Sequence, residues 1–276
     1  MTWYKGIVVK EEGDAVYLSI PFTWLLPQAQ EIIDSKPNKY FIVGGPAVKL
    51  MPEYLCHCDT AKDWPEALSY HNSQATFTTR GCIRKCSFCA VPKIEGEFIE
   101  LQDWQPKPIV CDNNILASSR KHFDEVIDRL KPIKGIDFNQ GLDARLLTDY
   151  HLERLRELDI SYLRFAWDNA SEEAPVMRAI ETSLACGFKK KAIRIYVLVN
   201  HGESYSEALY RCETLKCMGI LPNVMRYQPL NSLKKNSYLS PEWDAQQLSD
   251  FCRYWNRLNW LGHIPWSEYK GRQEVK

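Results

Sequence analysis

Apolar residues recur along the middle of the chain at a regular interval. Runs rich in β-branched and aromatic residues begin at positions 75, 108, 135, 162, 193 and 223, so successive starts lie 33, 27, 27, 31 and 30 residues apart. Most of the intervening segments place apolar residues at helical spacing, as Val176, Ile180 and Leu184 do. Strands that alternate with helices at this interval predict a parallel sheet, either open or curved into a barrel.

Local signals mark where several predicted helices begin and end. Ser204 and Glu207, three residues apart, form a capping-box pattern that predicts a helix start. Gly187 and Gly219 stand where two helices are expected to stop before the next strand. Near the C terminus, Ser240 followed by Pro241 predicts the start of a further helix.

The pattern divides the chain into three predicted parts. Residues 1–74 are predicted to form a small α/β extension with a hairpin, a helix and a strand that leads into the turn Gly44-Gly45-Pro46. Residues 75–230 contain the six strand runs, and residues 231–276 form a C-terminal helical segment rich in aromatic residues. The predicted fold class is therefore α/β.

Charge and composition narrow the classes of function. Lys and Arg together number 35, as do Asp and Glu, so the net charge of the 276-residue chain is zero and a nucleic-acid partner is not expected. The chain has no signal-peptide layout and no apolar run of membrane-spanning length, which predicts a cytoplasmic protein without a membrane partner. In a reducing compartment, the ten cysteines indicate metal binding or buried thiols rather than disulfides.

Polar side chains follow the predicted strands at their carboxyl ends. In barrels and in open parallel sheets, ligands bind at that edge. Each such residue alone is more often an ordinary turn or cap residue, so the prediction depends on the agreement of six strand ends. The residues are Cys82, Asp112, Asn113, Asn114, Gln140, Asp143, Asp168, Asn200, His201 and Gln228.

Three cysteines lie within eight positions in the stretch TTRGCIRKCSFCAVPK, residues 78–93. Zinc sites usually take paired C-x2-C ligands, and the C-x3-C-x2-C triplet of Cys82, Cys86 and Cys89 has no obvious fourth ligand nearby. Buried structural thiols are disfavoured because the intervening residues are basic and polar. A triplet that binds three irons of a [4Fe-4S] cluster, and leaves the fourth iron open, fits this spacing best.

The triplet, with Phe88 just before its third cysteine, resembles the signature of the radical S-adenosylmethionine (SAM) enzymes. The resemblance covers residues 75–230 and implies a partial (β/α)6 barrel of the TIM type. In that superfamily the three cysteines hold a [4Fe-4S] cluster, and SAM chelates the open iron. The cofactors expected from the resemblance are therefore the cluster and SAM.

Later motifs carry the resemblance along the chain. CDNN, residues 111–114, is similar to the segment that meets the methionyl group of SAM, and RFAWDN, residues 164–169, to the segment that reaches its ribose or carboxylate. YVLVNHGES, residues 196–204, resembles the segment near adenine, although Asn200 and His201 depart from the usual Gly-Pro-Gly-Glu turn. Asp168 and Asp143 are the catalytic candidates. The cofactor-binding candidates are Phe88, Asp112, Asn113, Asn114, Arg145, Asp168, Asn169, Tyr196 and Gln228, and Arg80, Lys85 and Arg164 are further cations that can neutralise the cluster or meet the SAM carboxylate.

A narrower resemblance concerns three other segments. Residues 41–55, 143–147 and 224–230 resemble the cobalamin-binding branch of the superfamily, in which a Gly-Gly-Pro turn ends the cobalamin domain. The N-terminal segment is much shorter than that domain and has no Asp-x-His-x-x-Gly motif, so a remnant without cobalamin is expected.

The resemblance implies that a reduced cluster cleaves SAM to a 5'-deoxyadenosyl radical, which abstracts hydrogen from a substrate. Neutral charge favours a small-molecule substrate, and a lyase for a modified nucleobase such as queuine fits this profile. An electron donor of the flavodoxin or ferredoxin type is the implied partner. The alternatives are a modifier of a peptide or carrier-bound substrate and a non-catalytic iron–sulfur sensor.

Cys56, His57 and Cys58 suggest a second metal site, but with His71 as the only other nearby candidate their ligand shell is incomplete. Cys212 and Cys217 lie five residues apart on a predicted helix and so do not share a face. No auxiliary cluster is therefore expected.

Overall fold

A computed structural model describes residues 3–60, 64 and 66–271 of the chain. The chain forms two compact units: residues 1–111 with 228–237, and residues 112–227 with 238–276. These units differ from the three predicted parts, whose boundaries stay a prediction. Parts of the predicted N-terminal extension (1–2, 61–63 and 65) and of the C-terminal segment (272–276) lie outside the described residues.

The first unit begins with the small α/β arrangement expected of the N-terminal extension. Its strands are β1 (Val8–Glu12), β2 (Ala15–Ser19), β3 (Tyr40–Gly44), β4 (Ala75–Thr76), β5 (Thr79–Arg80), β6 (Ile99–Glu100) and β7 (Ile109–Val110). Its helices are α1 (Leu26–Asp34), α2 (Pro46–Leu50), α3 (Ala67–His71) and α4 (Val91–Ile94). The predicted hairpin is confirmed, because β1 and β2 pair antiparallel across a turn that contains Gly13.

A small apolar core holds this first sheet together. Strand β3 pairs parallel with β2, and the sheet order is β1-β2-β3. Val16 and Leu18 alternate with more exposed residues on β2, and Leu26, Ala29 and Ile33 form the buried face of α1. Burial of these faces against one another stabilises the sheet and helix together.

The Gly44-Gly45-Pro46 turn links β3 to α2 in a conformation that requires glycine at its second position. Gly45 has φ +98°, and a Cβ atom there would lie 2.7 Å from the carbonyl oxygen of Ile20. Gly44 has no atom within 4 Å of the corresponding Cβ position. The close approach of two backbone segments therefore depends on Gly45 alone.

Gly45→Ala is expected to lower the free energy of unfolding by about 2–3 kcal/mol, because alanine resists a positive φ and its methyl group collides with backbone atoms. Gly44→Ala is the matched control and is expected to change it by less than about 1 kcal/mol. Urea unfolding followed by circular dichroism measures both. Equal stability of the two variants would contradict this account of the turn.

The first strand of the predicted repeat differs from expectation. The run that begins at Ala75 is interrupted, so that β4 pairs parallel with β7 while β5 pairs antiparallel with β6. Cys82 therefore follows β5, a strand of a separate two-stranded sheet, and not the parallel strand β4. Periodicity alone does not reveal this break because threonine occurs in both strands.

The second unit contains the strands β8 (Ile136–Phe138), β9 (Ile160–Ala166), β10 (Ile193–Val199) and β11 (Leu221–Arg226). Its helices are α5 (Arg120–Leu130), α6 (Asp149–Leu155), α7 (Glu173–Ala185), α8 (Tyr205–Cys217), α9 (Ala245–Trp255) and α10 (Leu258–Leu261). The four strands pair parallel in the order β8-β9-β10-β11, with a helix between each consecutive pair. The α/β class and parallel pairing are confirmed, and closure into a partial barrel stays a prediction.

The two faces of this parallel sheet have different chemistry. On β10 the residues Ile193, Ile195, Val197 and Val199 are fully buried and alternate with half-buried ones. The alternate face is polar and aromatic: Arg164 on β9 donates two hydrogen bonds to Asp137 on β8, at 2.6 and 2.7 Å. One face thus forms core, and the other carries a bidentate ion pair.

Most predicted helix boundaries in this unit are confirmed. The side chains and backbones of Ser204 and Glu207 form the reciprocal capping box of α8, and Gly187 and Gly219 have φ of +95° and +73° just after α7 and α8. The predicted cap at Ser240 is wrong. Asp244 is the N-cap of α9, since its carboxylate accepts the backbone N–H groups of residues 246 and 247.

Among the described residues, no helix combines the length and apolar character needed to cross a membrane.

Candidate functional site

The three cysteines of the triplet lie in the first unit, on the loop between β5 and α4. All three are half-buried. The backbone N–H of Arg84 lies 3.3 Å from Cys82 Sγ, and that of Val91 lies 3.5 Å from Cys89 Sγ. Two of the three sulfur atoms thus have a backbone N–H group directed at them.

The start of this loop is held tightly against residues 95–97. Gly81 has φ +73°, and a Cβ atom there would lie 2.1 Å from the carbonyl oxygen of Glu97. The Glu95 carboxylate accepts the Gly81 N–H at 2.8 Å and pairs with Arg80 at 3.1 Å. Arg80, predicted as a cation near the cluster, thus pairs with Glu95 and stacks on the ring of Phe77 at 3.9 Å.

The donor set fits an iron–sulfur cluster in its chemistry. Three soft thiols on one loop are the ligands that such clusters take from proteins. Among the described residues, which include all three cysteines, no three His, Cys, Asp or Glu side chains are grouped to hold a metal ion. Each thiol of a cluster site binds a different iron, so the three need not converge on one ion, and cluster binding stays a prediction.

In the second unit, hydrogen bonds connect residues that come after β7, β8 and β9 in the sequence. Asn114 Nδ2 donates to Asp143 Oδ2 at 3.1 Å, and Asp143 Oδ1 accepts from Arg145 Nε at 2.7 Å. Arg145 Nη1 then donates to Glu172 Oε1 at 3.0 Å. Glu172 Oε2 accepts the backbone N–H of Asp168 at 2.7 Å. We call these five residues the rim network.

The network has a polar interior with one exposed cation. The side chain of Asp143 is 6% exposed and that of Glu172 is 11% exposed, whereas Arg145 is 36% exposed. Two carboxylates therefore fix the direction of the guanidinium, as paired acceptors do for arginine. This arrangement orients Arg145 for an anionic group such as a carboxylate.

The carboxyl group of Asp168 has a strongly raised pKa. Burial, and after it the nearby negative charge of Glu172, raise its pKa to about 7. The positive charges of Arg211 and Arg145 and the backbone N–H of Leu198 act in the opposite direction. A carboxyl group that titrates near neutral pH is typical of functional sites.

Arg211, on α8, is the buried cation beneath the ends of β9 and β10. It is 2% exposed, and its Nη1 and Nη2 donate to the carbonyl oxygens of Trp167 at 2.6 Å and Leu198 at 3.0 Å. Its Nε has no hydrogen-bond partner among the described residues. The guanidinium thus links the ends of two adjacent strands.

Asn200 and His201, predicted as polar residues at the end of β10, form a structural turn. Asn200 is fully buried with φ +70°, and Glu203 accepts the backbone N–H groups of Asn200 at 2.6 Å and His201 at 3.0 Å. Asn200 Oδ1 also accepts the N–H of Ser240 at 2.8 Å. Glu203 thus fixes this turn through its carboxylate.

Other predicted residues have separate partners. The Tyr196 hydroxyl donates to the carbonyl of Asn139 at 2.9 Å, and Asn169 Oδ1 accepts the N–H of Ser171 at 3.0 Å as a helix cap. Gln228, in the first unit, accepts the N–H of Asn236 at 2.7 Å. Asn169 therefore caps a short helix, and Gln228 stabilises a loop of the first unit.

The remaining predicted residues differ in burial. Asp112 is 3% exposed at the end of β7, and Asn113 and Phe88 are half-buried. Lys85 is exposed on the cysteine loop. Of the predicted residues, the rim network brings together Asn114, Asp143, Arg145 and Asp168. The binding roles of all predicted residues stay predictions.

Two functional candidates, Glu172 and Arg211, were missed by the sequence reasoning. Arg211 interrupts the buried face of α8, whose other members are Ala208, Cys212 and Leu215. A cation at a core position of an amphipathic helix is the signal that identifies it. Glu172 offers only a weaker signal, an acid in the first turn before a helix.

The second cysteine group has no site geometry. Cys56 is exposed, and burial raises the pKa of the half-buried Cys58 thiol, which disfavours the thiolate needed for metal binding. Burial likewise raises the pKa of Cys252 to about 11. Whether Cys56 and Cys58 bind a second metal stays a prediction.

Comparison with known proteins adds one similarity. No protein-family model matches the chain. Over 147 residues, the chain is 26% identical to bacteriochlorophyllide d C-8(2)-methyltransferase of Chlorobaculum tepidum. The match covers 49% of this chain and 31% of the relative, so the chain spans about a third of the relative's length. About half of the chain is therefore similar to part of an enzyme.

Proposed function

We propose that this chain is a radical SAM enzyme that acts on a small substrate. The observation that carries the proposal is the C-x3-C-x2-C triplet on a half-buried loop, where backbone N–H groups point at Cys82 and Cys89 Sγ. The α/β fold with parallel strands and the similarity to a methyltransferase support it at a coarser level.

Each group of residues has an assigned task. Cys82, Cys86 and Cys89 would bind a [4Fe-4S] cluster, which with SAM supplies a 5'-deoxyadenosyl radical for hydrogen abstraction. In the second unit, the guanidinium of Arg145 is oriented by Asp143 and Glu172 to bind a carboxylate.

Asp168 is assigned to a donor group of SAM or substrate. In its ionised form the carboxylate accepts hydrogen bonds from hydroxyl or ammonium groups, and in its protonated form it donates one. Because its pKa is about 7, both forms are present at neutral pH. The task of these residues is to hold the reacting groups in place and to limit the access of water.

The test is turnover after anaerobic reconstitution. Protein reduced with dithionite and mixed with SAM is expected to form 5'-deoxyadenosine and methionine slowly, and much faster with its substrate. The screen includes modified deazapurines such as queuine and planar tetrapyrroles, which represent the predicted nucleobase class and the class named by the relative. Deuterium transfer from labelled substrate into 5'-deoxyadenosine would locate the abstracted hydrogen.

Methyl transfer is the second candidate, because the similar enzyme is a methyltransferase. Formation of S-adenosylhomocysteine together with a methylated product would identify it. If an intact cluster gave neither product under any reductant, the enzyme proposal would be wrong and an iron–sulfur sensor would remain. Activity only with a peptide or a carrier-bound substrate would support the modifier alternative.

A further inference from the structure

We infer that Arg211 is the positioning residue for Asp168: it holds the peptide group that carries Asp168 and sets the protonation state in which Asp168 binds its ligand. The ligand-binding half of this inference rests on the proposed function. The half that concerns the protonation of Asp168 is independent of it.

Both ends of one peptide group are held by charged side chains. Arg211 Nη1 donates to the carbonyl oxygen of Trp167 at 2.6 Å, and the N–H of the same peptide bond, which belongs to Asp168, donates to Glu172 at 2.7 Å. A cation on the oxygen and a carboxylate on the N–H both follow the peptide dipole. The backbone at Asp168 is therefore fixed in orientation from two different helical segments.

A second link connects Arg211 to the carboxyl group of Asp168 through β10. Arg211 Nη2 donates to the carbonyl oxygen of Leu198 at 3.0 Å, while the backbone N–H of Leu198 interacts with the Asp168 carboxyl group. Leu198 thus contacts the cation with one backbone group and the acid with the other. Loss of Arg211 would loosen the strand end that supports the Asp168 side chain.

A neutral donor would be enough to bridge the carbonyl oxygens of Trp167 and Leu198, so the positive charge of Arg211 needs a separate explanation. Burying a guanidinium is costly, and two neutral carbonyls with an unpartnered Nε leave its charge only partly compensated. The anionic groups that face Arg211 are Glu203, Asp168 and Glu207. Glu203 is the first of these, and its oxygens also accept the N–H groups of residues 200 and 201. Asp168 is the member of this set that belongs to the rim network.

The charges that face Asp168 come from several elements. Glu172, before α7, favours the protonated acid, whereas Arg211 on α8 and Arg145 after β8 favour the carboxylate. The N–H of Leu198 on β10 also favours the carboxylate. Without Arg211, burial and Glu172 would keep Asp168 protonated at neutral pH, and it would lose the negative charge that strengthens a hydrogen bond from a hydroxyl or ammonium group.

The direct test is titration of the Asp168 carboxyl by carbon-13 NMR in protein without SAM, with the signal assigned by its loss in Asp168→Asn. Arg211→Gln is expected to raise the midpoint by about one pH unit or more. Arg226→Gln is the matched control, because Arg226 donates to the carbonyl of Tyr238 and is not among the charges that face Asp168. An unchanged midpoint in Arg211→Gln would overturn the inference.

Equilibrium binding of SAM between pH 5.5 and 9 tests the functional half. For a midpoint raised by one unit, Arg211→Gln is expected to bind SAM about five-fold more weakly at pH 7 and to recover affinity at higher pH, as its NMR midpoint predicts. If the NMR midpoint moved but SAM affinity did not depend on pH, the assignment of Asp168 to SAM would fail while the link between Arg211 and Asp168 would hold.

If Arg211→Gln does not fold, Arg211→Lys tests the positioning role of Arg211. Lysine keeps the charge but cannot hold both carbonyls in a planar fork. Its titration midpoint is expected to stay close to that of the wild type, with weaker SAM binding at every pH. Wild-type binding by Arg211→Lys across the whole range would overturn the positioning role.

Discussion

Replacement of Cys82, Cys86 or Cys89 by serine is expected to abolish formation of 5'-deoxyadenosine and to remove most of the bound iron. The wild-type protein, reconstituted anaerobically, is expected to bind about four irons and four sulfides per chain. Each thiol is assigned to a separate iron, so the loss of one ligand leaves a second iron open. Iron and sulfide analysis, the absorption spectrum and chromatography of the SAM products measure the effect.

Cys56→Ser and Cys217→Ser are the matched controls. Both cysteines are exposed and lie outside the cysteine loop, so iron content and SAM cleavage are expected to stay at wild-type levels. A full [4Fe-4S] spectrum in the triple variant of the loop, or wild-type protein that binds only zinc, would contradict the proposal. Loss of a second iron–sulfur signal in either control would instead reveal a further site.

The strands and helices of the second unit could be predicted because their signals are local, whereas the order of the strands in the sheet could not. On β10, buried and half-buried residues alternate along the chain, and the capping box of α8 lies within four residues. The interruption of the strand near Ala75 and the N-cap of α9 could not be predicted from the sequence. The N–H of Ser240, the predicted cap, bonds to Asn200, and no local pattern encodes a contact between residues so distant in sequence.

The same distinction applies to the candidate site. The cysteine triplet is contiguous in sequence, so spacing alone was enough to predict it. The rim network joins residues on separate loops, and its Glu172 was missed because only folding brings Glu172 to the backbone of Asp168. Polar residues do follow the ends of the later strands, whereas Cys82 follows a strand of a separate sheet. Their hydrogen-bond partners depend on parallel packing that a single sequence does not specify.

Asp168→Asn is expected to abolish or strongly reduce turnover while leaving the iron content intact. Asparagine keeps the size of the side chain and removes its charge, so a carboxylate that accepts hydrogen bonds from SAM or substrate is lost. The cluster ligands belong to the cysteine loop and are unaffected. Wild-type turnover in this variant would contradict the assignment of Asp168 to the site, without affecting the proposed cluster.

The same substitution is expected to change how stability depends on pH. The pKa of Asp168 is about 7 in the folded protein, above its value of about 3.9 in an unfolded chain. Between these values the unfolded state loses its proton first, so stability falls as pH rises from about 4 to about 7. From pH 5 to pH 8 this group alone is expected to lower the free energy of unfolding by about 2–3 kcal/mol.

Urea unfolding at pH 5 and pH 8 measures this contribution. In Asp168→Asn the fall in stability between the two pH values is expected to be smaller than in the wild type by that amount. Asp128→Asn is the control, because Asp128 lies in an exposed ion-pair group with Lys131 and Arg154, whose hydrogen bonds lower its pKa, so it is ionised at both pH values. An equal fall in the wild type and in Asp168→Asn would show that Asp168 is already ionised well below neutral pH, and that burial and Glu172 do not hold its proton.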